Sequence, residues 1–147
     1  QWLDLGFGGF TLSPEDDADN LAALVREFPD QATVIVYQDT PLFLAANLTV
    51  PPGPLTLGDQ RFDAVHRHGT LIMIHDTPFS LVPVLLTLRN AGARHLRADF
   101  LYRDYTADWT LSIWRQLRMG EAVPGRLGNA RRGLADIHQE TEKWESL

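Results

Sequence analysis

The sequence predicts an α/β fold: a partial TIM-barrel-like arrangement or an open, mainly parallel sheet, with helices and an inserted β-hairpin. Three observations predict it. Short strand-like runs alternate with stretches of helical apolar spacing, the order that builds βα units and a parallel sheet. About three such strands are present, too few to close an eight-stranded barrel. Residues 61–66 and 70–75 flank Arg67-His68-Gly69, which reads as a hairpin with Gly near the turn. The 147 residues are expected to form a single α/β domain, residues 1–147, and to be a fragment or C-terminal part of a larger barrel protein, since the chain starts at Gln1 and not at Met.

Each element has its own signal. Residues 8–12 read as a short strand. Ser13 is expected to cap a helix with Pro14 at its first position and acids in the first turn. Leu21, Leu24, Val25 and Phe28 mark its buried face, and Pro29 stops it. Residues 33–37 form a β-branched run of strand length, expected to be buried on both faces. Residues 41–57 hold Pro41, Pro51, Pro52, Gly53 and Pro54 and read as a long loop. Asp76, Thr77 and Pro78 announce a second helix with a stripe of Leu81, Val82, Leu85, Leu86 and Leu88, closed by Gly92. Residues 95–101 alternate as a strand. A third helix begins at Thr106 or Asp108, carries Trp109, Ile113, Trp114 and Leu117, and ends at Gly120. Residues 134–147, with Leu134, Ile137, Thr141 and Trp144, suggest a short amphipathic helix.

Composition narrows the function. The apolar fraction of 44% with 22% charged residues is ordinary for a globular chain that buries its own core. A formal charge of −6 disfavours a surface that neutralises nucleic-acid phosphates. Residues 126–132, with Arg126, Arg131 and Arg132, are the local exception and read as a solvated tail. There is no apolar run long enough to span a bilayer and no basic-then-apolar leader, so no membrane partner and a cytoplasmic location are expected. The complete absence of Cys excludes disulfides, thiol nucleophiles and clusters bound by this chain's own thiolates.

Five segments in a fixed order then carry a resemblance: Ile35-Val36-Tyr37-Gln38-Asp39-Thr40-Pro41-Leu42, Asn47, Gly58-Asp59-Gln60-Arg61-Phe62-Asp63-Ala64-Val65, Thr77-Pro78-Phe79-Ser80-Leu81, and Ala91-Gly92-Ala93-Arg94-His95-Leu96-Arg97-Ala98-Asp99-Phe100. In this order the chain, over roughly residues 5–134, resembles the C-terminal half of the collagenase-like peptidases of unknown catalytic type, the thirty-second family of that class. That family is related to the anaerobic ubiquinone-biosynthesis hydroxylase subunits. The resemblance implies a cluster held by Cys residues that follow the Asn of the Pro-Leu loop. Here Leu48 follows Asn47, and the next ten residues contain three prolines and no Cys. No cofactor is therefore expected. The chain is expected to be a cluster-less peptidase-like module, completing a larger enzyme or serving as a non-catalytic subunit, with a protein partner or self-association.

Two other readings use the same residues. Asp39 follows a buried strand directly, and Arg97 and Asp99 sit two apart on one strand face. Both lie at strand C-terminal ends, where α/β folds bind ligands. Asp39, Arg97 and Asp99 are thus the candidate catalytic residues of an autonomous hydrolase, with Tyr37 and Asn47 as candidate substrate-binding residues. An edge ion pair for Arg97 and Asp99, and a loop cap for Asp39, are the structural alternatives. The third reading is an interaction domain pairing through an exposed sheet edge. His66, His68 and His75 lack an acidic ligand at useful spacing, so no metal is expected. Ser13 and Ser80 read as helix-start residues and not as nucleophiles.

Overall fold

A computed structural model describes residues 3–46, 49–58, 60–123 and 125. Two sheets divide the chain. The first strand, β1 (Phe10–Thr11), leads to helix α1 (Ala18–Glu27) and then to β2 (Ala32–Gln38). A block of four strands follows: β3 (Pro41–Ala46), β4 (Gly53–Leu57), β5 (Gln60–Arg67) and β6 (Thr70–His75). The chain then returns to the first sheet through β7 (Phe79–Ser80), α2 (Leu85–Ala91), β8 (His95–Ala98) and α3 (Ala107–Met119). The fold is mixed α/β, with no helix among the described residues long and apolar enough to cross a membrane.

In the first sheet β2 is central. It pairs in parallel with β1 and β8 and antiparallel with β7. Thr33 pairs with both Thr11 and His95, and Tyr37 with both Ser80 and Ala98, so β1 and β7 share one edge of β2 and β8 takes the other. Burial along β2 is nearly continuous, as its apolar run predicts for a strand covered on both faces. Val34 and Val36 join one apolar core with Leu21 and Val25 of α1, Leu85 and Leu88 of α2, and Ile113 and Leu117 of α3.

Several boundaries differ from the sequence expectations. Helix α1 starts at Ala18, and Asp17, not Ser13, caps it by accepting from the Asn20 amide at 2.8 Å. Ser13 accepts from the Glu15 amide at 3.2 Å and caps a turn ahead of the helix. Residues 79–80, expected inside the second helix, are instead a short strand, with the Leu81 amide donating to the Val36 carbonyl at 2.9 Å. That bond continues the sheet, and α2 begins only after a 3-10 turn at Val82–Val84. Leu86 consequently points to solvent while Leu85 and Leu88 are buried.

The predicted hairpin is part of a larger antiparallel sheet in the order β3-β6-β5-β4. His68 and Gly69 link β5 to β6 with φ of 50° and 78°, the two positive values that a two-residue type I′ turn demands. The proline-rich segment read as a loop contributes two of the four strands. Pro41 is the first residue of β3 and Pro54 lies on the edge strand β4, the positions where a missing N–H costs no ladder bond. Asn47 and the suggested helix at 134–147 lie outside the described residues, as does the arginine-rich stretch 126–132.

Candidate functional site

The junction between the two sheets is polar, and local sequence explains why. Strand β2 runs out of apolar residues at Gln38, and Asp39 is the first residue beyond it. The loop after β8 carries Arg103 and Tyr105 back to the same place. Asp39 is buried, its side chain wholly inaccessible. A buried carboxylate must be paired and hydrogen-bonded. Arg103 Nε donates to Asp39 Oδ1 at 2.9 Å, and the Tyr105 hydroxyl donates to Asp39 Oδ2 at 2.7 Å.

Arg103 spends its remaining nitrogens on the second sheet. Nη1 donates to Asp63 Oδ2 on β5, and Nη2 to the His75 carbonyl at the end of β6. One guanidinium therefore ties β2 to both central strands of the antiparallel sheet. Burial on its own would make this guanidinium easier to deprotonate. The hydrogen bonds and charges of Asp39 and Asp63 outweigh burial and raise its pKa further.

Aromatic rings close the junction. Phe100 packs between Tyr37 and Tyr105, with ring centroids 5.5 and 5.1 Å away, and Tyr105 lies 4.9 Å from Trp109. Burial pushes the Tyr105 hydroxyl well above its ordinary pKa, and the hydrogen bond to Asp39 pushes the same way. Burial raises Tyr37 too, reinforced by the negative charge of Asp39 and partly offset by Tyr105 and Arg103. Both phenols are thus held neutral. The Tyr37 hydroxyl is fully buried and, among the described residues, has no hydrogen-bond partner of good geometry.

The other predicted residues sit elsewhere in the bonding pattern. Arg97 Nε bonds Asp99 Oδ1 at 2.6 Å, with the Arg97 side chain about half exposed and Asp99 mostly covered. The Asp99 amide donates to the Tyr37 carbonyl at 2.8 Å, which ties this loop start to β2. Among the described residues no hydrogen bond joins Asp39 to Arg97 or Asp99. Arg103, Tyr105 and Asp63 complete the junction and were not singled out from sequence. The signal available was positional: Arg103 and Tyr105 follow a strand's C-terminal end, where polar residues of α/β folds converge.

The histidines serve the antiparallel sheet. The His75 ring stacks on Phe62 at 5.4 Å, and the His66 ring bonds the Val50 carbonyl at 2.7 Å. Among the described residues no three His, Cys, Asp or Glu side chains are grouped to hold a metal ion. Ser80 is buried, its hydroxyl accepting from the Val82 amide at 3.3 Å.

Scans against protein-family models, curated proteins and solved structures found no match to this chain.

Proposed function

We propose that the chain is a non-catalytic module that completes a larger protein or assembly, docking through the outer edge of β8. The observation that carries this reading is that β8 has a strand on one side only among the described residues. The Asp99 amide faces β2, so by alternation the Ala98 and Leu96 amides face away from it. Such an edge is a template for a further strand. Beside it, Leu101 is 61% exposed, and on α3 Leu111 and Trp114 are 49% and 45% exposed, which are costly residues to leave in water.

This fits the cluster-less, peptidase-like module that the collagenase-like resemblance implies, with β1-α1-β2 and α2-β8-α3 as staves of a partial barrel. A cytoplasmic assembly with a protein partner and no nucleic acid belongs to the same reading. The hydrolase reading is less well supported. A general base needs an available carboxylate, yet both oxygens of Asp39 are engaged by donors and Asp99 is engaged by Arg97.

The test is the native mass of the protein purified from its source. A particle larger than the 147-residue chain is expected. Ala98→Pro, which removes an outward N–H, combined with Trp114→Glu should release a folded monomer, whereas Asp99→Asn should leave the particle whole. A lone monomer whose hydrolytic activity disappears with Asp99→Asn would overturn the proposal.

A further inference from the structure

Beside the junction, and sharing Asp63 and Arg103 with it, lies an open cleft of about 370 Å³ that the docking edge does not use. Its floor comes from β5, where Asp63, Val65 and Arg67 share one strand face at two-residue spacing. Its wall is the Trp109 ring at the start of α3, 40% exposed and backed by Tyr105. Val65 is therefore the apolar middle of the floor, with a charged residue on either side of it along β5, and Trp109 lines the same cleft.

The two ends differ. Asp63 is committed to Arg103 inside the junction. Arg67 is held differently: Nη2 donates to the Tyr102 carbonyl at 2.9 Å and to Asp104 Oδ1 at 2.7 Å. The carbonyl is a fixed support that positions the guanidinium. The carboxylate is a loose one, since the Asp104 side chain is 94% exposed. An ion pair in that setting contributes little, so a second carboxylate can replace Asp104 at small cost. A guanidinium matches a carboxylate with two parallel hydrogen bonds, and a Trp face accepts an apolar or aromatic body.

The geometry points to this cleft as a binding site for a monocarboxylate with an aromatic or apolar body, its carboxylate taken by Arg67 in place of Asp104 and its body laid between Val65 and Trp109. Two sources share that chemistry: a free aryl-alkyl acid, and the C-terminal carboxylate of a peptide ending in an aromatic residue.

Calorimetric titration of the purified chain with 3-phenylpropionate tests the site. Measurable binding is expected, with Arg67→Gln weakening it roughly tenfold or more. Asp104→Asn removes the internal competitor and should tighten binding by about two- to fivefold. It leaves Arg67 on the Tyr102 carbonyl, so it remains informative if Arg67→Gln folds poorly. 3-Phenylpropanamide should not bind. N-acetylglycylphenylalanine binding more tightly than the free acid would assign the site to peptide C-termini, and weaker binding would assign it to free acids. The proposal is overturned if neither acid binds, if the amide binds equally well, or if Asp104→Asn weakens binding.

Discussion

Replacing Arg103 with Leu is expected to destabilise the fold by about 3–5 kcal/mol, the cost of breaking a buried ion pair from one side. The size follows from what is left behind. Asp63 is 25% exposed and can turn to water, but the Asp39 side chain has no exposure and, among the described residues, would keep only the Tyr105 hydroxyl. A carboxylate so placed is desolvated without a counter-charge. The bond from Arg103 Nη2 to the His75 carbonyl would go as well. For a domain of this size the loss corresponds to a fall in Tm on the order of 10 °C, readable by calorimetry. Asp63→Asn should cost far less. The double variant Arg103→Leu with Asp39→Leu should recover much of the loss, because removing both charges removes the desolvation penalty. A loss under about 1 kcal/mol for Arg103→Leu would mean that water reaches Asp39 and that the junction is no lock.

Tyr37→Phe should do the opposite and raise stability, by about 1 kcal/mol and up to 3. Among the described residues the hydroxyl is buried with no hydrogen-bond partner of good geometry, the neighbouring Tyr105 hydroxyl donating to Asp39 instead, and a poorly satisfied buried polar group costs about that much. The ring itself is wholly buried and packs on Phe100, contacts that Phe retains. Denaturant unfolding of the two proteins measures the difference. A destabilisation above about 1 kcal/mol would instead reveal a hydrogen bond from this hydroxyl.

What sequence reasoning could reach was set by range. β2 was legible because seven consecutive residues, mostly apolar, report burial without needing a partner's identity. α3 was legible from Thr106 and Gly120, whose capping roles are written within a few residues of each end. The β5–β6 hairpin was legible from Gly69 for the same reason. The proline-rich stretch was not, since Pro54 is disallowed in a central strand and allowed on an edge, and edge position is a property of the whole sheet. Residues 79–80 form a strand because β1 leaves the C-terminal half of β2 unpaired, which no local pattern states.

The site divides along the same line. Asp39 could be singled out because it follows β2, and Tyr37 because it precedes Asp39 on one strand face. The pairing of Asp39 with Arg103 spans 64 residues, and Tyr105 reaches it across 66. Arg97 and Asp99 bond each other, as two-residue spacing allows. The Asp99 amide reaches Tyr37, next to the Asp39 end of β2, but the guanidinium that pairs with Asp39 is Arg103, delivered by the loop after β8.

Amide hydrogen exchange at Leu96 and Ala98 tests the docking edge most directly. In the isolated chain these two outward amides should exchange far faster than that of Asp99, which donates to Tyr37. In the native assembly they should become as protected as that amide, because a partner strand then accepts both. Rapid exchange at both positions in the assembled protein would contradict docking through β8.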